Sequence, residues 1–243
     1  MNVRSLAPSM ILTVAALWSL GCRQMPGLPE APAQRPDQVS NFAALYQQNC
    51  VACHGANGKN GVAISLANPV YLTFAGTDVI QKVTANGVHG SLMPAFAKSQ
   101  GGMLTDQQIA ILAQGVVSAW AKPALLQGES MPPYASTLPG DPVEGQQSFN
   151  TFCASCHGAD GAGLNRKQNS TGSLVDPAYL ALISDQGLRS LIVAGQPEDG
   201  MPDWQSDIAG AGSRAMTDKQ ITDIVAWLAS HRVAAPGQPY VHP

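Results

Sequence analysis

Apolar positions along this chain fall into blocks, and most of the blocks occur twice. The first block, Leu6 to Leu20, is apolar apart from Pro8 and hydroxyl residues. It is too short for an ordinary membrane span and fits the apolar region of a secretory signal. From Arg23 to Ser40 no apolar period survives, and Pro26, Pro29, Pro32 and Pro36 make the stretch an extended tether. Periodicity resumes where Phe42, Leu45 and Tyr46 share one face of a short helix over Asn41 to Asn49, with Ser40 as its expected cap. Asp141-Pro142 makes an equivalent start, with the proline in the first turn where its missing donor is harmless. Each half closes on another helix with a threonine cap, at Leu104-Thr105-Asp106-Gln107-Gln108-Ile109 and at Met216-Thr217-Asp218-Lys219-Gln220-Ile221.

Between these ends the halves run in parallel. Asn68-Pro69-Val70-Tyr71-Leu72 matches Asp176-Pro177-Ala178-Tyr179-Leu180, Ala85-Asn86-Gly87 matches Val193-Ala194-Gly195, and Met93-Pro94 matches Met201-Pro202. The second half carries extra residues around Arg166 to Ser170 and a few more before its last helix. A fixed order of matched blocks in a chain of 243 residues argues for two tandem domains rather than one. The division expected is a signal over 1–22, a tether over 23–40, a first domain over 41–122, a proline-rich linker over 123–140, a second domain over 141–232, and a tail over 233–243.

The chemistry sits at the end of the first helix of each half. Cys50-Val51-Ala52-Cys53-His54 recurs as Cys153-Ala154-Ser155-Cys156-His157. Two thiols three residues apart followed at once by an imidazole form the attachment signature of c-type haem. One helical turn carries both sulfurs toward the vinyl edges of the porphyrin and leaves the imidazole beneath the iron. A dithiol redox pair or half of a zinc site uses the same cysteine spacing. A zinc site, however, needs a second pair nearby, whereas these pairs lie about a hundred residues apart, and a dithiol does not require the adjacent histidine.

With these motifs, and with Met-Pro pairs following each, residues 41 to 232 resemble the small class I c-type cytochromes, in particular the tandem two-haem bacterial type. The resemblance implies an all-α fold of two small domains, each wrapped around one covalently bound haem c, with Cys50, Cys53, Cys153 and Cys156 holding the porphyrins and His54 and His157 ligating iron. It also implies that the methionine of each Met-Pro loop is the sixth ligand, hence Met93 and Met201. Met103 and Met216, just before the closing helices, are then expected as packing residues, His89 as a polar loop residue, and His231 and His242 as solvated. In this family the ligating histidine bonds a proline carbonyl some dozen residues after the motif. Here Ile64-Ser65 and Gly172-Ser173 occupy that position, and a carbonyl near Ser65 or Ser173 is expected to substitute. The family also crosses its first and last helices on a glycine against an aromatic. The second half keeps that pattern with Gly145, Phe149 and Trp227, whereas the first has Phe42, Tyr46 and Gly115, so Phe42 is expected over Gly115 and Trp227 over Gly145.

Composition adds less. Aromatic residues at 6% and charged residues at 12% are few, which suits small domains whose core is partly a large apolar cofactor. The net charge of −3 is uneven, since residues 41–122 carry +2 and residues 140–232 carry −5. No basic patch of the kind that binds nucleic acid is present. The fifth cysteine, Cys22, follows Ser19-Leu20-Gly21 and looks like the lipidation site of a bacterial lipoprotein, which would anchor the chain on the outer face of the cytoplasmic membrane. The function implied is single-electron transfer between redox partners such as a quinol-oxidising complex, a terminal oxidase or a reaction centre, with no substrate bond broken. The alternative is a two-haem peroxidase or thiosulfate-oxidising enzyme with one open iron.

Overall fold

The computed structural model describes residues 34–126, 130–165, 170–205 and 215–233. The signal stretch, Cys22, most of the tether, His242 and nearly all of the tail lie outside them. The chain divides into two units, Met1–Gln38 and Val39–Pro243. The described part of the first holds one 3-10 turn, Pro36–Gln38. The second unit contains both halves of the repeat. Its described residues are helical, with only isolated β-bridges, so the fold is all-α.

The first domain runs α1 (Phe42–Asn49), α2 (Val51–His54), α3 (Pro69–Asn86) and α4 (Asp106–Trp120). The second runs α5 (Pro142–Phe152), α6 (Ala154–His157), α7 (Pro177–Leu182), α8 (Asp185–Ala194) and α9 (Asp218–Ala229). Both closing helices start as the sequence indicates, with Thr105 and Thr217 each completing a reciprocal capping box with Gln108 and Gln220. Asp141 caps α5 by accepting from the Val143 and Glu144 amides. The start of α1 differs from expectation. Asn41, not Ser40, is the cap, because its extended backbone lets the side-chain oxygen reach the Ala44 amide at 2.9 Å.

The crossing of first and last helices is where the domains exchange bulk. A Cβ on Gly115 would lie 2.1 Å from the Phe42 ring, so Phe42 packs over Gly115 as expected. In the second domain a Cβ on Gly145 would meet the Asp223 carbonyl oxygen at 2.0 Å and the Trp227 Cβ at 2.8 Å. Gly145 thus brings the backbones of α5 and α9 together, with Trp227 alongside. Trp120 was not singled out by the repeat, yet it lies edge-on to Tyr46 at 5.2 Å and closes over Gly58, as Trp227 closes over Gly161.

The middle helix also differs. α3 bends at Gly76, whose φ of 68° takes the left-handed region, while a Cβ there would meet nothing within 4 Å. Conformation alone requires the glycine. The matching residue in the second domain is Ser184, which sits in extended backbone and caps α8 through the Gly187 amide. One bent helix therefore corresponds to two separate ones.

The linker is more ordered than a proline-rich spacer. Pro123–Leu126 forms a 3-10 helix against α3. Further on, the Tyr134 ring lies 5.1 Å from Phe74 of α3. Arg189 of α8, 4% exposed, donates to the Pro133 and Tyr134 carbonyls and pairs with Asp218. Gln186 adds a bond to the Tyr134 carbonyl. With α3 packed against α8, linker and both domains share one continuous core.

Candidate functional site

Each cysteine motif is built the same way. The incoming helix ends on the first cysteine, where φ widens to −118° at Cys50 and −120° at Cys153. A four-residue turn follows, in which the histidine amide returns to the carbonyl of the first cysteine at 2.9 Å for His54 and 3.0 Å for His157. Gly55 and Gly158 then terminate the turn, both at φ 77°. A side chain on Gly55 would collide with the Lys59 carbonyl oxygen, so this glycine serves close approach as well as conformation.

The environment of the thiols speaks to their chemistry. Burial, and then the neighbouring Cys53, pushes the Cys50 thiol up to about 11, and burial followed by Cys156 pushes Cys153 up to about 12. Groups held as thiols at neutral pH are the reverse of the activated thiolates that run dithiol exchange or bind zinc. Among the described residues no cluster of three or more His, Cys, Asp or Glu side chains comes together, so the two motifs do not pool into one thiolate site.

The histidines differ more than their motifs do. His54 is buried, its pKa lowered by that burial, and its Nδ1–H donates to the Ile64 carbonyl at 2.8 Å. That bond fixes the tautomer and leaves the Nε2 lone pair for a metal. The expected carbonyl substitute thus exists in the first domain, one residue before Ser65. His157 is half-buried, burial again lowers its pKa, and its Nδ1 has no partner. Neither Gly172 nor Ser173 supplies the bond, and the longer loop explains why. Leu164 and Thr171 pair as a β-bridge, and the Thr171 hydroxyl caps the Cys156 carbonyl, a place the Ala63 amide fills at Cys53 in the first domain. The loop is tied to the motif's backbone instead of to its imidazole.

Met93 and Met201 occupy matching turns. Gly87 ends α3 and Gly195 ends α8, both with positive φ, and in each a Cβ would strike the backbone of the returning Met-Pro segment. The Val88 amide donates to the Met93 carbonyl at 3.0 Å, and Gln196 exchanges two backbone bonds with Met201 at 2.8 and 3.0 Å. Both methionines are half-buried. Of the competing residues, Met216 packs against the core. Met103 does not, being 81% exposed, contrary to the packing role expected for it. His89 is exposed. His231, expected in solvent, is half-buried, its Nδ1–H bonded to the Trp227 carbonyl and its ring edge-on to that indole.

Each domain therefore offers two thiols and one imidazole on a single turn, and one thioether on a separate segment. That donor set fits a covalently attached haem, with soft and borderline ligands for iron and none of the hard oxygen donors other metals require.

Comparison with known proteins agrees. The family model "Cytochrome c" matches residues 142–232, and the model "Cytochrome C oxidase, cbb3-type, subunit III" matches residues 37–114. Relatives include a cbb3-type cytochrome c oxidase subunit FixPc of Rhizobium leguminosarum bv. viciae, 25% identical over 76% of this chain and 61% of its own. A subunit FixP of Sinorhizobium medicae is 31% identical over 68% of this chain and 54% of its own. A subunit CcoP of Rubrivivax gelatinosus is 28% identical over 69% and 49%. The chain thus spans about half to three-fifths of the length of these relatives. Two cytochrome models on the two halves, each over a complete Cys-x-x-Cys-His turn, make this chain a tandem class I c-type cytochrome.

Proposed function

We propose that this chain carries two covalent haems and transfers single electrons as part of a terminal oxidase of the cbb3 type. The observation that supports the reading best is the presence of a full donor set in both halves, together with relatives that are subunits of such oxidases. Cys50 and Cys53 would hold one haem and Cys153 and Cys156 the other, with His54 and Met93, and His157 and Met201, as the side chains that would ligate iron. When bound, the haem would supply one-electron exchange between the ferric and ferrous states. The protein's part is to hold His54 neutral, to fix its ring through Ile64, and to present each methionine on a turn closed by main-chain bonds.

The purified full chain should show two low-spin haems and a ferric sulfur-to-iron band, and it should co-purify with an oxidase from gently solubilised membranes. A spectrum with one high-spin iron that binds carbon monoxide without mutation would favour the enzyme reading instead. Attachment is a separate part of the proposal. No helix among the described residues is long and apolar enough to cross a membrane. Lipidation of Cys22 on the outer face of the membrane is the anchor we infer from the Ser19-Leu20-Gly21-Cys22 pattern. Cys22→Ser should then release the protein from salt-washed membranes, and undiminished retention would exclude that anchor.

A further inference from the structure

Asn68 is the cap of α3, and it is only 3% exposed. Its side-chain oxygen accepts from the Val70 and Tyr71 amides at 2.9 and 3.2 Å, which is the ordinary work of a helix cap. Its amide nitrogen, however, leaves the domain. Nδ2 donates to the carbonyls of Ala194 and Gly195 at 2.9 and 3.1 Å, at the C-terminal end of α8 in the second domain. Helix ends leave such carbonyls without intrahelical partners, so one buried amide satisfies the start of one helix and the end of another. Asp176, the matching cap in the second domain, is exposed and carries no donor, so the arrangement is not reciprocated.

The two ends that Asn68 joins are the ends that carry ligands. On its own side it lies four residues beyond Ile64, whose carbonyl receives the His54 Nδ1–H. On the far side Gly195 is bonded to Gln196, which exchanges two main-chain hydrogen bonds with Met201 and brings its Nε2 within 4.0 Å of the Met201 sulfur. An unbroken run of covalent and hydrogen bonds therefore leads from the imidazole of the first domain, through the Asn68 amide, to the thioether of the second. The packing of α3 on α8 and of Tyr134 on Phe74 holds the same faces together.

We propose that Asn68 is the positioning residue for electron exchange between the two haem sites, tying the His54 side of the first domain to the Met201 side of the second. This rests on the two-haem reading above. In each event one electron moves, so that a ferrous iron in one domain is oxidised to ferric while the ferric iron of the other is reduced to ferrous, with no bond made or broken and no proton released. The residue acts by holding geometry, since small displacements between reacting centres carry large costs in rate.

The test uses the full chain with both haems attached. Asn68→Asp keeps the acceptor for Val70 and Tyr71 but loses both donors and sets an anion against two carbonyls. Asn68→Ser keeps a capping oxygen but does not reach the second domain, and it decides the matter if the aspartate variant does not fold. After photoreduction of a half-reduced sample, exchange between the haems should slow by about tenfold or more in either variant. The absorption spectra and both potentials should stay as in the parent, and small-angle scattering should show a looser pair of domains. A wild-type exchange rate in a folded variant would overturn the proposal, as would a slowdown matched by a shift in potentials, because driving force rather than position would then be the cause. Failure of the two-haem reading would appear instead in the spectrum of the unmutated protein, which the scattering measurement does not depend on.

Discussion

His54 and His157 stand at the same place in the same turn of the same motif, and their surroundings are not the same. One imidazole is buried with its Nδ1–H bonded to a carbonyl, while the other is half-buried with that atom unpartnered. The difference arises in the loop after the motif, where a longer connection in the second domain turns its polar groups toward the Cys156 carbonyl. A duplicated motif fixes which atoms bind a cofactor. The loop around it sets how strongly they do so, and the two can vary separately.

The comparison is tested most severely by removing a ligand on one side only. Met201→Ala should abolish the sulfur-to-iron band of one haem and open that iron to carbon monoxide, leaving the first domain's spectrum intact. The same loss produced by Met216→Ala would show the wrong methionine had been assigned. The helix crossings come next. Gly145 faces the Asp223 carbonyl, which cannot rotate away, so Gly145→Ala should cost about 3 kcal/mol in thermal or denaturant unfolding, at the upper end of overpacking. Gly115 faces a side chain. Gly115→Trp should cost about 1 to 3 kcal/mol, and adding Phe42→Gly should restore much of it, which no partner change near Gly145 should do. The smallest effect expected is in the potentials. Hydrogen bonding through Nδ1 makes an imidazole the stronger donor and favours ferric iron, so the first domain should have the lower potential of the two. A redox titration resolved by the Met201→Ala spectrum checks the order, and a higher potential in the first domain would contradict it.

Much of this was written in residue types. The Cys-x-x-Cys-His turns, the threonine caps at Thr105 and Thr217, Asp141-Pro142, and the Phe42–Gly115 exchange all depend on side chains that do one thing well, and they fell where expected. What escaped depended on the main chain or on distant partners. The carbonyl for His54 was expected near Ser65 and is that of Ile64, but nothing in the residue types told that His157 has no such partner, since the longer loop ties Thr171 to the Cys156 carbonyl instead. Asn68 reads as a cap, and nothing local tells that its second function lies 126 residues away. Trp120 sits at no repeated position, because Gly115 holds the place that matches Trp227, yet it closes over Gly58 as Trp227 closes over Gly161. It lies edge-on to Tyr46, whereas the matching pair of the second domain, Phe149 and Trp227, lies tilted at 4.3 Å.

The buried guanidinium of Arg189 bears on where this molecule can be cut. Proline content draws the edge of the second domain at residue 141, but the carbonyls that solvate Arg189 belong to Pro133 and Tyr134. A fragment beginning at Asp141 would leave a cation in the interior with Asp218 and the Thr222 hydroxyl as company and several donors unmet. The unit that can be excised, transplanted onto another protein or inherited as a module therefore begins upstream of Pro133, inside what looks like spacer.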